Sequence, residues 1–434
     1  MALVLSACLV LVIGGIGVFA AWNSGLPGLD KISDIGQLFE KKEEDLPLSE
    51  EPEENEPEPL IIEPIEEIPK EPENDEPIVF RAPERMMAVT LEAGKDFYTD
   101  EKAAPSEIEA SIDKALEGAK KLSANTVFIK TGYQDKVLFS SGDLPQVQMS
   151  IDMLKSVSEK AKAKNLFVYV IFDLSQDTFR TISGQKWLNS VRTNAKALSA
   201  YNIDGIMLDN FGSGSDGTVY ADYLSTGNGI GYENYLFSGT EASIRTAYEA
   251  VKEENPSVAV GLAVDAVWAN KESNENGSET TADFESLRDG FADTKKYVEE
   301  GLCDFAAVKS AYATTNKTAK FKDYFGWWSD VVAQKMPLYV FQYATKACTK
   351  EKGWSDPSEL SDQVIAAEKM DSFCGSIFDS LAALEDNPKQ STDSLVQYLT
   401  ENIDPSFLLT QLEMTRPSST TYSTYENVVT FSGA

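Results

Sequence analysis

From Met86 to Asn402, short apolar runs alternate with amphipathic stretches eight times, and no other feature restricts the fold of this chain as strongly. The apolar runs predict strands at 86–91, 126–130, 166–172, 205–208, 258–264, 304–308, 338–343 and 375–378. Segments with helical apolar spacing follow at 106–122, 146–164, 185–200, 240–254, 284–300, 324–335, 357–370 and 392–402. Ser106-Glu107-Ile108-Glu109 has the form of a capping box at the start of the first helix. Near-continuous apolar strands describe a parallel sheet whose outer face is covered by helices. Eight such units over about 320 residues fit a closed (β/α)8 barrel, the TIM barrel, better than an open doubly wound sheet. No Gly-x-Gly-x-x-Gly follows a strand, so no dinucleotide cofactor is expected.

The barrel region, 81–403, has flanks of different character. Residues 2–22 are apolar and uncharged, and the first basic residue is Lys31. At about 1.5 Å per residue this run can cross a hydrocarbon layer of roughly 30 Å. It lacks the basic start of a signal peptide and is long for its apolar core, so 1–23 is expected to be an uncleaved transmembrane anchor, with a cleaved signal as the alternative. No Lys or Arg precedes the span and acidic sequence follows it, which places the body outside the cell membrane as a single-pass protein. Residues 24–80 are expected to be a linker. Within it, 40–77 carries 17 acidic residues, 3 lysines and 8 prolines. Self-repulsion and missing backbone donors prevent a core there and favour an extended spacer. Residues 404–434 turn rich in Ser, Thr and Tyr, with a strand-like stretch at 428–431, and suggest the start of a truncated β domain.

Charge and composition exclude several chemistries. The formal net charge is −32, which opposes a phosphate backbone, so no nucleic-acid partner is expected. There is no histidine, which removes His-based triads, His general bases and the usual zinc sites, and no metal or other cofactor is expected. The four cysteines, at 8, 303, 348 and 374, form no close-spaced pair.

In a (β/α)8 barrel the reactive groups stand just past the carboxyl ends of the strands. That rule selects Glu92, Lys130, Tyr133, Asp173, Asp209, Asn210, Asp265, Trp268, Lys309, Tyr312, Gln342, Tyr343 and Asp379. Carboxylates follow five of the eight strands, and aromatic residues accompany them; a sugar site uses carboxylates for acid–base work and aromatic faces for pyranose stacking. Bland readings stand beside these: Asp173 and Asp379 can cap helices, Lys309 can simply pair with an acid, and Trp268 and the Trp327-Trp328 pair can be core. Asp209 is the best catalytic candidate, because it ends the apolar run Ile206-Met207-Leu208 and precedes a long Gly- and Tyr-rich insertion. That insertion, 212–237, contains Tyr220, Tyr223, Tyr232 and Tyr235 and is expected to be a loop forming one wall of a groove.

Asp204-Gly205-Ile206-Met207-Leu208-Asp209-Asn210-Phe211 resembles the strand-four signature D-G-I-x-x-D-D-Y of the glycosyl-hydrolase-like family ten. Val267-Trp268-Ala269-Asn270 is similar to that family's I-W-R-N, and Trp327-Trp328 with the run 338–343 matches its W-W helix and seventh strand. The resemblance runs over roughly 85–402. It implies a TIM-barrel glycoside hydrolase of bacterial envelopes, with a polysaccharide partner such as denuded peptidoglycan glycan strands. It also implies catalytic roles for Asp209 and a second carboxylate from Asp265, Asp173 or Glu92. The other selected residues, Asn210, Trp268, Lys309, Tyr312, Gln342, Tyr343, Asp379, Lys130 and Tyr133, would bind substrate. Three departures weigh against simple transfer: Asn210 replaces the second Asp, Ala269 replaces the Arg, and Val308-Lys309-Ser310-Ala311-Tyr312 replaces P-Q-x-Y-W. A catalytically inactive glycan-binding or cell-wall scaffold module is the alternative.

Overall fold

The computed structural model describes residues 78–402, apart from 99, 101, 175–183, 212–219, 221–222 and 226–228, together with 411–416. The expected anchor at 1–23, all but the last three residues of the linker at 24–80, and the strand-like stretch at 428–431 lie outside the described residues. Among the described residues, no helix is long and apolar enough to cross a membrane.

Eight parallel strands close into a barrel: β1 (Met86–Leu91), β2 (Thr126–Lys130), β3 (Phe167–Asp173), β4 (Gly205–Asp209), β5 (Ala259–Asp265), β6 (Phe305–Ser310), β7 (Leu338–Tyr343) and β8 (Phe373–Asp379). They follow chain order around the ring, and β8 pairs with β1 to close it. The ring of helices comprises α1 (Pro105–Lys121), α2 (Met153–Ala163), α3 (Gly184–Ser199), α4 (Tyr232–Glu254), α5 (Thr294–Glu299), α6 (Phe321–Val332), α7 (Glu359–Ala367), α8 (Leu381–Asp386) and α9 (Ser391–Asn402). A separate antiparallel pair, Ile78–Pro83 with Gln411–Arg416, joins the two flanks of the barrel. The second of these strands lies in the tail, well before the stretch that the sequence marks.

Side chains alternate across each strand, so two cores form. The outward residues Val89, Leu91, Val127, Ile129, Val168 and Val170 pack with helix residues such as Ile108, Ile112 and Leu116. The inward residues form a second cluster in which Phe128, Tyr169, Phe305 and Tyr339 make a chain of ring contacts with centroids 4.9 to 5.6 Å apart. Small inward residues leave room for these rings. A Cβ on Gly205 would enter the Tyr169 ring, and one on Gly261 would enter the Phe305 ring.

Several helices start later or earlier than their apolar spacing suggests. In α1, Pro105 takes the first turn and Ala104 the cap, so Ser106 lies inside the helix. The expected Ser106–Glu109 box does not form; two residues earlier the Glu107 carboxylate accepts from the Ala104 N–H at 2.9 Å. Helix α2 begins at Met153, because Asp152 accepts from the Lys155 N–H and fixes the start. The long helix expected at 284–300 shrinks to α5: Phe291 sits at φ 50° and Asp293 caps the remaining turn. Helix α4 begins at Tyr232, inside the expected loop, and Tyr235 is buried in it.

Candidate active site

The parity that fills the barrel interior continues to its mouth. Asp173 lies two residues beyond inward Ile171, Asp209 two beyond Met207, Asp265 two beyond Ala263, Lys309 two beyond Ala307 and Tyr343 two beyond Phe341. The registers set Asp173 beside Asp209, Asp265 beside Lys309, and Tyr343 beside Asp379. The charged groups therefore crowd one end of the barrel because the sheet's period puts them there.

They divide into two ionic triads on opposite sides. Around β5, Lys309 Nζ lies 3.0 Å from Asp265 Oδ1 and 3.3 Å from Asp209 Oδ1. Both carboxylates touch one ammonium, so their nearer oxygens are at most about twice 3.3 Å apart. Around β1, Lys130 Nζ lies 2.9 Å from Asp379 Oδ1 and 3.3 Å from Glu92 Oε2. Thr90 donates to the same Asp379 oxygen at 2.9 Å, and the Glu92 N–H donates to Asp96 at 2.7 Å. Thr90 and Asp96 escape a strand-end search because one lies inside the strand and the other in the following turn. The inward parity of Thr90 with Ala88 is the signal that could have found it.

Electrostatics separates the carboxylates. The Asp209 side chain is 17% exposed and that of Asp265 35%. Burial pushes the Asp209 carboxyl above its usual range; Lys309 opposes the shift and Asp173 adds to it. Burial works against the charge of Lys309, but Asp209 and Asp265 outweigh it and raise its pKa, so the ammonium persists. Lys130 behaves likewise between Asp379 and Glu92. Burial raises the Tyr343 phenol, on which Lys309, Asp209, Asp265 and Asp379 all act, placing Tyr343 between the triads. Tyr312 is half-buried, raised mainly by burial and then by Asp265 and Asp283. Asn210 adopts φ 49°, its N–H donates to Asp209, and its Nδ2 donates to Asp173 at 2.9 Å. Tyr133 sits in a two-residue hairpin after β2 and accepts from Gln134.

Two expected site residues are elsewhere. Gln342 has the outward parity of β7 and is fully buried, donating to Leu360 O at 2.9 Å and to Gln363. It ties β7 to α7 and does not face the mouth. Trp268 is 5% exposed, donates to Asp293 at 3.0 Å and stacks on Trp327 at 5.5 Å, so its faces are committed to packing.

No family model matches the chain. The chain is 26% identical over 204 residues to the glycosyl hydrolase YngK of Bacillus subtilis, covering 45% of this chain and 40% of that protein. It is 28% identical over 153 residues to the glycosyl hydrolase DigH of Escherichia coli, covering 34% of each. The chain thus spans less than half the length of these curated relatives. Among solved structures, it aligns with alpha-L-fucosidase isoenzyme 2 from Paenibacillus thiaminolyticus at a TM-score of 0.49 and 11% identity, covering 73% of this chain and 49% of that one. In sequence, the chain is a divergent relative of bacterial glycosyl-hydrolase-like proteins.

Proposed function

We propose that the chain is a glycoside hydrolase acting on an amino-sugar polymer such as peptidoglycan glycan strands, with Asp209 and Asp265 as its reacting carboxylates. One observation carries this reading: the two carboxylates share the Lys309 ammonium and so are held close together, and burial pushes the Asp209 carboxyl above its usual range. Glycoside hydrolysis needs such a pair, one group to protonate the leaving oxygen and one to act as an ionised base or nucleophile. Burial suits Asp209 to the acid role, which leaves Asp265 as the partner carboxylate. Their shared cation, 3.0 Å from one carboxylate and 3.3 Å from the other, sets a ceiling on the separation that admits the roughly 5–5.5 Å of retaining enzymes. Tyr343 and Tyr312 would line the sugar. In this reading the body is held at the outer cell surface by the segment at 1–23.

Lys309 also favours a second reading, a non-catalytic glycan-binding module. An ammonium between the two acids opposes the positive charge of an oxocarbenium-like transition state. The two readings part on one experiment. Denuded glycan strands are incubated with the full chain and with D209N, and products are read by mass. The enzyme reading expects turnover in wild type and a fall of about 100-fold or more in D209N, equivalent to about 2.7 kcal/mol, with folding intact. Binding without turnover in wild type would establish the non-catalytic reading, and full activity in D209N would remove Asp209 from the site.

A further inference from the structure

At three carboxylates of the mouth, a lysine holds one oxygen and leaves the other. Lys309 Nζ meets Oδ1 of both Asp209 and Asp265, and the Asn210 N–H donates to that same oxygen of Asp209. Lys130 Nζ meets Oδ1 of Asp379, to which Thr90 also donates. Among the described residues, no protein group bonds Oδ2 of Asp209, Asp265 or Asp379, and each of these side chains still reaches solvent.

The donors nearby are already committed. Lys130 and Lys309 each sit between two acids, Lys95 meets Glu92, and Asn210 Nδ2 donates to Asp173. Acceptors therefore exceed free donors. Negative charge is also in excess: five carboxylates, Glu92, Asp173, Asp209, Asp265 and Asp379, stand at or just past strand ends, against the ammonium groups of Lys130 and Lys309. A proton on Asp209 leaves four against two. Both triads bear on one place, because Lys309, Asp209, Asp265 and Asp379 all act on the Tyr343 phenol. A sugar unit beside that phenol would lie in the field of both.

An acetylated amino sugar matches this inventory poorly. Its acetamido group brings one N–H donor and a carbonyl acceptor, and the acceptor needs a donor that the lysines and Asn210 have already spent. A free ammonium brings three donors, no acceptor and a positive charge, and its hydrogen bonds to carboxylate are about twice as strong as neutral ones.

We infer that the mouth selects an amino-sugar polymer whose amino groups are free of acetyl, with Asp379, a carboxylate that the hydrolytic pair leaves unused, receiving an ammonium group on its open oxygen. The inference rests on the glycan reading above and narrows the substrate to de-N-acetylated units.

The test is calorimetric titration of the full chain with the hexamers of β-1,4-linked glucosamine and β-1,4-linked N-acetylglucosamine, and with denuded glycan strands, in the cold where turnover is slow. The glucosamine hexamer should bind about tenfold tighter than its acetylated counterpart, a difference of about 1.4 kcal/mol. D379N should cut that ratio roughly fivefold. E92Q removes a charge from the same triad and should narrow the ratio in the same direction, which keeps the test open if D379N fails to fold. Hexalysine carries six ammonium groups and no sugar, so it measures attraction to the acid-rich chain as a whole; it should not displace the glucosamine hexamer at like concentration. Equal affinities for the two hexamers, tighter binding of the acetylated one, a ratio that folded D379N and E92Q leave intact, or displacement by hexalysine would each overturn the selection of free amines and leave the glycan reading standing. No binding of either hexamer or of the strands would overturn both.

Discussion

Lys309 Nζ stands 3.3 Å from Oδ1 of Asp209, and it reaches that carboxylate across β5. Strand β5 contributes Asp265 to the same ammonium at 3.0 Å. The β1 side repeats the plan: Glu92 at the centre, with Lys130 from β2 and Asp379 from β8. Each half of the mouth therefore carries one cation between two acids. At Asp209, burial raises the carboxyl and the Lys309 ammonium limits the rise.

Replacing Lys309 with Met tests that balance. Lys309 lowers the proton affinity of Asp209, so its loss should raise the Asp209 pKa further. If Asp209 acts as the acid, the alkaline limb of the pH–rate profile should move to higher pH in K309M. A limb that stays in place, or moves to lower pH, would separate Asp209 from the proton transfer.

Legibility followed the periodicity. The eight strands are apolar throughout because both faces are buried, so the barrel could be read from their number and spacing. The same uniformity hides parity. In Leu338–Tyr343 nothing in the apolar run says which side chains turn inward, and Gln342 and Tyr343 look equivalent until the sheet separates them. The place of Asp209 at the mouth is legible because it ends the apolar run of β4. Trp268 was misplaced because its partners, Trp327 and Asp293, are distant in sequence and no local pattern announces them. Helix ends were set by local groups that outweigh apolar spacing, as Asp152 and Asp293 do.

The barrel interior gives a stability prediction independent of function. In G261A the new methyl must displace the Phe305 ring, which also contacts Tyr169 and Tyr339. Overpacking of this kind costs about 1–3 kcal/mol. Denaturant unfolding should show that loss with an unchanged slope. A neutral result would mean that the ring chain can slide as a unit.

Asp96 provides a pH signature near the β1 triad. Burial, with Glu92 and Glu385 adding, raises its carboxyl to about 6, although the N–H groups of Glu92 and Ala382 pull the other way. The folded state thus holds a proton that the unfolded chain, with a carboxyl near 3.9, releases. The resulting stabilisation is complete below about pH 4 and is lost as pH rises through about 6. Wild type should therefore gain melting temperature relative to D96N between pH 7 and pH 4.5. A constant difference between the two proteins would show that Asp96 does not titrate in that window.

Asn210 offers the last test, because it departs from the family signature at the site itself. Its Nδ2 donates to Asp173, its backbone N–H donates to Asp209, and its φ of 49° is one that Asn and Asp tolerate better than most residues. N210D keeps the backbone and the shape but turns the donor into a second carboxylate facing Asp173. The hydrogen bond is lost and a like-charge pair forms, so one of the two acids must rise in pKa. A raised carboxyl destabilises the fold above its own pKa and ceases to do so once protonated. N210D should therefore melt below wild type at pH 7 and recover most of the difference by pH 4.5. On the enzyme reading, the new carboxylate paired with Asp173 would also supply an additional proton donor beside Asp209, and turnover should change in pH dependence more than in its maximum. If N210D matches wild type in stability at both pH values, the Asn210–Asp173 contact carries no weight and the departure from the signature has no electrostatic consequence.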